Sequence, residues 1–307
     1  MRLTARGVKF GLREFSMPYR ALFVTFLALL FASSISARCY PPGSRVIIFM
    51  QGVYTSLDED GTDGIIWEDH AYDKMKAKFV EAGYDRAQLL DFSYAGGTVD
   101  EAGVWHPAPY ECAITDRPSD VNLAVLETLL RDYRARHPDA HYTVIGHSLG
   151  GYLAYLEGVR ESQRPEEERL GVDVVVTLDA PLNGVSVDKK IALDVAVGCA
   201  KTYQAPAEIV ADKENPDIRI LRQTQVDAMR AAGIRLATIG NNGDCLYNLP
   251  RCTGGAISKI DDSQTQYIDN ADLVKRYDIH ASAFVSHFAV IAYAQTLLDV
   301  VPWVGAP

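Results

Sequence analysis

Apolar residues along this chain come in short continuous blocks separated by amphipathic stretches, the pattern of strands covered on both faces alternating with helices. After Pro41, Pro42 and Gly43 the block RVIIFMQG (45–52) reads as the first such strand. A helical stretch from about 67 to 82, a strand QLLDFSY (88–94), a helix over 119–137 and a strand HYTVIGH (141–147) follow. Ser119 and Asp120 supply the 119–137 helix with a cap, and Val121, Leu123, Leu126, Leu129 and Leu130 give it a buried face. A further helix begins at Ser148, strands VDVVVTLD (172–179) and IRLATIG (234–240) come next, and a last helix covers about 287–301. Strands alternating with helices predict βαβ crossovers and a mostly parallel sheet with helices on both faces. There is no internal repeat.

Two connections are longer than such crossovers need, 95–118 and about 181–232. Both leave the carboxyl ends of strands, where open α/β sheets bind ligands, and long connections in compact domains tend to carry function. The first, with Trp105 and Tyr110, reads as a wall of a substrate site, and the second as a cap or lid.

Composition narrows the class. The 307 residues include 30 Lys+Arg and 40 Asp+Glu, a formal charge of −10, which excludes a nucleic-acid binder driven by global positive charge. Hydrophobic content of 48% and charged content of 23% are ordinary globular values. The first 37 residues depart from the rest: they hold Arg2, Arg6, Lys9, Arg13 and Arg20 against the single acid Glu14, followed by the apolar run ALFVTFLALLFA and then SSISA. Basic flank, short apolar core and small residues predict a secretory signal over 1–37, with Met17 as an alternative start. Stretched to Ala37 the apolar run reaches the lower edge of a bilayer span, so a retained anchor through 21–37 is the alternative. Five cysteines, Cys39, Cys112, Cys199, Cys245 and Cys252, include no CxxC pair, which argues against structural zinc. In an exported chain Cys245 and Cys252 are spaced to close a short loop, and Cys112 would pair with Cys199 only if the fold brings them together; buried free thiols are the alternative.

The chemistry concentrates in TVIGHSLGGYLAYLEG (143–158). Gly146, Ser148 and Gly150 match GxSxG between a predicted strand and a predicted helix, where glycines let the backbone double back and lift the serine hydroxyl above the sheet. In this motif and in strand order over 45–301, the chain resembles the α/β-hydrolase family, particularly its lipase and esterase branch, in which GHSLGG is the usual nucleophile elbow. The resemblance implies an α/β-hydrolase fold and a triad in chain order Ser, Asp or Glu, His. Asp244, in LATIGNNGDCLYN just past the 234–240 strand, is the candidate acid, with Asp261, Asp262 and Asp269 as alternatives. Asp179 also ends a strand but reads as structural in TLDAPLNG. His287, opening the C-terminal helix, is the candidate base; His280 reads as a loop residue, and His147 packs in the elbow without moving protons.

The resemblance also implies an oxyanion hole, from the backbone N–H of Leu149 and one from the loop after the first strand. Family members usually carry a His-Gly pair in that loop. Here Gln51 stands before Gly52, and position selects Val53 as the donor, with Gln51 and Gly52 lining the substrate side. The acidic DEDGTDG (58–64) misses the EF-hand spacing and reads as a solvated turn. No phosphate-cradling or dinucleotide-binding glycine loop occurs.

The expectation is an exported α/β hydrolase, domain 38–307 with a cap over about 181–232, that cleaves carboxylic esters through an acyl-enzyme. Ser148 is the nucleophile, His287 the base, Asp244 the acid, and no cofactor or metal is implied. The partner is a small-molecule or lipid ester, with membrane-surface contact as a further option; nothing in the sequence specifies the oligomeric state. A thioesterase or acyltransferase using the same triad, and a non-catalytic binding protein on the same fold, are the alternatives.

Overall fold

Alternate residues of the first apolar block point to opposite faces of a sheet, and both faces are covered. Strand β1 (Arg45–Met50) sends Val46, Ile48 and Met50 into one core and Ile47 and Phe49 into a second. That is why the block is continuously apolar. The computed structural model describes residues 44–53, 55–58, 63–65, 68–69, 72–186, 204–244, 263–279 and 285–307. The expectations on the 1–37 leader, on Cys39, Cys199, Cys245 and Cys252, on Asp261, Asp262 and His280, and on most of the acidic turn fall outside these residues.

Strands β2 (Leu89–Asp91), β3 (His141–His147), β4 (Val172–Leu178), β5 (Arg235–Asn241) and β6 (Leu273–Tyr277) join β1 in one sheet. Its order is β6-β5-β4-β3-β1-β2, and every neighbouring pair is parallel. The chain steps from β1 out to β2, returns across β1 to β3, and then moves outward strand by strand. The reversal lies between β1 and β3, so Gln51–Gly52 after one and Ser148 after the other border the crevice where such sheets bind ligands. Helices α2 (Ser119–Arg136), α3 (Leu149–Gln163), α4 (Gln204–Glu214) and α5 (Ile218–Ala231) feed the first core through Leu126, Leu153, Ile209 and Met229. Helices α1 (Asp73–Glu81), α6 (Val285–Ala292) and α7 (Ala294–Val304) feed the second through Phe79, Val290 and Val300. The result is the expected α/β architecture, a parallel sheet between two helical layers.

Several boundaries differ from the sequence expectation. Helix α1 starts at Asp73, because Glu68–Asp69 pairs antiparallel with Asp63–Ile65 instead of extending it. Helix α2 takes its first-turn partner from outside: the Ser119 N–H donates to the Glu208 carboxylate of α4 at 3.0 Å, with no cap from its own side chains. Val121, expected in its buried face, is exposed. Strand β6 was not foreseen, since LVKRY carries Lys275 and Arg276 as an edge strand does. The C-terminal helix is two helices, α6 and α7, bent by 46° where Tyr293 takes an extended conformation. Among the described residues no single helix is long and apolar enough to cross a membrane.

Within the 181–232 connection, α5 lies against α3: a Cβ on Gly158 would sit 2.6 Å from the Met229 methyl, and Tyr155 donates to Gln225 at 2.8 Å. The buried Arg222 donates to the Leu182 carbonyl at 2.7 Å and pairs with Asp212. The stretch expected as a cap therefore includes the crossover helix between β4 and β5.

The far end of α3 is fixed by charges. Arg164 bridges Glu157 and Glu161 at 2.6 Å each, and Glu161 accepts the Leu170, Gly171 and Val172 amides leading into β4. Glu157 is fully buried, and burial pushes its carboxyl from 4.5 up to about 7 against the opposing pull of Arg164. A carboxyl with a raised folded-state value stabilises the fold at low pH and loses that contribution as pH climbs from about 4.5 through about 7. Wild type should therefore lose stability relative to Glu157→Gln across that window, by up to about 1.4 kcal/mol per pH unit. Paired denaturant melts from pH 4.5 to 8 check this, and parallel curves would refute it.

Candidate active site

The turn from β3 into α3 holds Ser148 at φ 54°, ψ −122°, left-handed backbone that a non-glycine residue adopts only when its surroundings impose it. The Ser148 N–H donates to the Leu178 carbonyl of β4 at 2.9 Å, and its own carbonyl accepts from the Tyr152 N–H at 3.0 Å. Close approach explains the glycine that follows. A Cβ on Gly150 would lie 2.4 Å from the carbonyl oxygens of both Met50 and Gln51, so only glycine lets α3 start this close to the end of β1. Leu149 is then the first residue of α3, and its amide is one of the four at a helix start with no intrahelical acceptor.

The loop after β1 is oriented by buried hydroxyls. Tyr72 donates to the Met50 carbonyl at 3.0 Å, Tyr94 to the Gln51 carbonyl at 2.7 Å, and Thr55 to the Gly52 carbonyl at 2.9 Å. In a trans peptide the N–H opposes the C=O, so fixing the Gly52 carbonyl on Thr55 turns the Val53 N–H the other way. Gly52 faces Ser148: a Cβ on it would sit 3.0 Å from the Ser148 Cβ and 3.5 Å from the Ser148 Oγ. Tyr110 reaches this loop through Thr55, hydroxyl to Oγ1 at 3.1 Å. Trp105 is buried in the first core with its indole N–H on the Asp91 carbonyl at 2.8 Å, at the outer strand β2.

Asp244 and His287 meet in the interior. His287 Nδ1 lies 2.7 Å from Asp244 Oδ2, so an Nδ1–H donates to the carboxylate and leaves Nε2 with its lone pair. Asp244 is fully buried, and its Oδ1 also accepts from the Ser286 hydroxyl at 3.3 Å. Among the described residues no hydrogen bond runs from Ser148 Oγ to His287, a contact that in apo sites often tightens only with substrate. Asp269, an alternative acid, is exposed and paired with Arg276 at 2.9 Å.

Three neighbours were not expected to bear on this pair. Asn241, at the end of β5, accepts the Gly243 and Ile279 amides on its Oδ1 (2.9 and 2.7 Å). Its Nδ2 donates to the Ile279 and Ser286 carbonyls (3.1 Å each), tying the Asp244 turn to the residue before His287. His147 lies against His287 with the rings tilted by 51° and their centroids 4.5 Å apart, and donates from Nε2 to the His287 carbonyl at 2.9 Å. Burial and the neighbouring His287 hold His147 well below the usual imidazole range, which keeps it neutral. Asp179, at φ 46° after β4, is fully buried, and its Oδ1 accepts from the Asn241 N–H at 2.5 Å. Burial and the Asp244 charge push its carboxyl well above the usual range. The signal for both Asn241 and Asp179 was a polar residue closing an apolar strand block at its carboxyl end. His147, Asp179 and His287 also bring one potential ligand atom each within 4.8 Å of one another, a set that could hold a metal ion.

No family model matches the chain, and no curated protein matches it. Among solved structures it is similar to the phospholipase PlaB from Legionella pneumophila, at 11% identity and a TM-score of 0.45, over 73% of this chain and 46% of that one. The chain thus spans about half the length of that phospholipase. It is also similar to a structure from work on carboxylesterases of the thaumarchaeon Nitrososphaera gargenis (11% identity, TM-score 0.45, 88% of this chain and 91% of that one). A third likeness is to one from work on the metagenome-derived lipolytic enzymes LipS and LipT (14% identity, TM-score 0.43, 85% and 92%).

Replacing Asn241 with Ala strands four backbone groups, and the two in buried bonds, the Ser286 carbonyl and the Gly243 amide, each cost about 1–3 kcal/mol if left unpaired. The expected result is a fall in melting temperature of at least about 6 °C, read by calorimetry; an unchanged melt would show that the Asp244 and His287 segments hold without it.

Proposed function

We propose that this chain is a serine hydrolase that cleaves carboxylic esters through an acyl-enzyme. The observation that carries the reading is the buried 2.7 Å Asp244–His287 hydrogen bond at the carboxyl end of the sheet, the end where an elbow holds Ser148 at positive φ. Ser148 Oγ attacks the ester carbonyl while His287 Nε2 takes its proton. Asp244 holds the imidazole and stabilises its charged form. The Leu149 and Val53 amides bind the oxyanion, the second supported by the Thr55 bond that fixes the Gly52 carbonyl. His287 then gives its proton to the leaving alcohol and activates water to release the acid. No step needs a cofactor or metal. Gln51 and Gly52 border the reacting carbonyl, with Tyr110 and Trp105 behind the walls of the acyl site. Export is part of the proposal, supported by the basic, apolar and small-residue order of the first 37 residues.

Hydrolysis of p-nitrophenyl esters from acetate to palmitate by the full-length protein tests this. Ser148→Ala should lower kcat/KM at least about a thousandfold and abolish labelling by a fluorophosphonate, while the fold, read by circular dichroism, is kept. Equal inertness of folded wild type and variant would sink the ester reading. Gly52→Ala, which pushes a methyl toward Ser148, should cost at least about tenfold in kcat/KM.

A further inference from the structure

The pairing of β1 with its neighbours ends at Met50, and beyond it hydroxyls take over from the ladder. Three successive carbonyls each accept from a fully buried side chain: Met50 from Tyr72 (3.0 Å), Gln51 from Tyr94 (2.7 Å) and Gly52 from Thr55 (2.9 Å). The bond at Gly52 continues outward. A threonine hydroxyl has a single proton, and that of Thr55 goes to the Gly52 carbonyl, which can only accept. Toward the Tyr110 hydroxyl, 3.1 Å away, Thr55 therefore accepts and Tyr110 donates. Tyr110 is itself held firmly: its N–H and C=O pair with Leu57 at 2.7 and 3.0 Å, and its ring meets that of Tyr94 edge-on, centroids 5.5 Å apart. A ring that served the core alone could be phenylalanine.

We propose that Tyr110 and Thr55 are positioning residues of the oxyanion hole, a one-way hydroxyl relay from the 95–118 connection to the Gly52 carbonyl that sets the Val53 amide against the oxygen of a bound ester. The proposal rests on the serine-hydrolase reading. Glycine at position 52 leaves the peptide that follows it free to turn. A stiffer residue cannot stand there, since its Cβ would lie 3.0 Å from the Ser148 Cβ. The missing stiffness is supplied from outside: with its carbonyl on Thr55, the 52–53 peptide cannot turn without breaking a buried bond. Tyr110 in turn fixes the Thr55 rotor, because a hydroxyl that accepts from Tyr110 keeps its own proton directed at Gly52. Successive bonds in such a chain polarise and strengthen one another. An amide held in place before charge develops needs no reorganisation when it does, and that is the source of an oxyanion hole's effect.

Three substitutions in the full-length protein separate the relay from packing: Thr55→Val keeps the shape and removes both bonds, Thr55→Ser keeps the hydroxyl, and Tyr110→Phe keeps the ring. With p-nitrophenyl butyrate, Thr55→Val should lower kcat about thirtyfold and Tyr110→Phe about fivefold, each with KM within about twofold of wild type. Thr55→Ser should stay within about threefold of the wild-type kcat. The variant carrying both Thr55→Val and Tyr110→Phe should be no slower than Thr55→Val alone, because Tyr110 acts only through Thr55. The inhibition constant of a trifluoromethyl ketone, whose hemiketal oxygen occupies the hole, should rise by the same factors as kcat/KM falls. Losses that multiply in the double variant, or that fall on KM while inhibitor binding is unchanged, would overturn the relay. Should Thr55→Val not fold, Tyr110→Phe decides alone, and unchanged kcat and inhibition there would sink the proposal. The two readings fail distinguishably: an inert wild type removes the hydrolase and the relay with it, whereas an active wild type indifferent to Tyr110→Phe removes the relay alone.

Discussion

Two segments that leave different strands have to meet at one imidazole, and the side chain of Asn241 joins them. Its carbonyl oxygen takes two amides, and its amide nitrogen serves two carbonyls, one of them that of Ser286 beside His287. A flipped side-chain amide would set donors against donors and acceptors against acceptors at all four contacts. The arrangement is therefore all or nothing. Because the Asn241 side chain is fully buried, the alternatives leave its polar atoms unpaired and out of reach of water, and the 2.7 Å bond between Asp244 and His287 inherits its geometry from that constraint.

The elbow poses the opposite problem, since there the backbone is held away from its preferred conformation. Left-handed backbone at Ser148 costs about 1–3 kcal/mol, and Asp179 adds a second such residue one strand away. Both strained residues are held by amides donated into the sheet: Ser148 to Leu178, and Asp179 to Ile239. Residues on both faces of β1, β3 and β4 are almost wholly buried, so the elbow cannot relax without disturbing one of the two cores. The same close approach that forces glycine at position 150 also brings the loop after β1 against the start of α3. Ser148 and the candidate oxyanion donors are thus placed by a single packing contact.

Much of this was legible because the relevant signals are local. A strand buried on both faces must be apolar throughout, so β1, β3, β4 and β5 stood out as blocks, and the elbow was marked by glycines whose missing side chains the turn requires. Asp244 and His287 were found from the order of the triad in the resembling family. What stayed hidden depends on contacts between distant segments. Strand β6 is a short edge whose apolar pattern is broken by Lys275 and Arg276, and the Ser119 amide at the start of α2 is satisfied by Glu208, 89 residues away. Trp105 drew notice as an aromatic residue in a long loop, yet its indole is engaged in the core over β2. Asn241 and Asp179 were visible as polar residues at strand ends, but nothing local says which of them face each other across the sheet.

That opposition matters for charge. A dry site with two carboxyls and two imidazoles cannot carry four charges. The environment neutralises two of the groups, His147 by pushing its proton off and Asp179 by keeping its proton on. Asp244 and His287 are the hydrogen-bonded pair that remains. In the proposed reaction the proton leaving Ser148 arrives on His287, where its positive charge meets the carboxylate 2.7 Å away, while the negative charge it leaves behind passes to the ester oxygen at the Leu149 and Val53 amides. The net charge of the site is unchanged by the transfer, and burial penalises each new charge, so each needs a fixed partner already in place: the Asp244 carboxylate for the imidazolium and the two amides for the oxyanion. In a low dielectric such preorganised partners act strongly, and the burial that makes these side chains costly to fold is, on this reading, what gives them their effect on the serine.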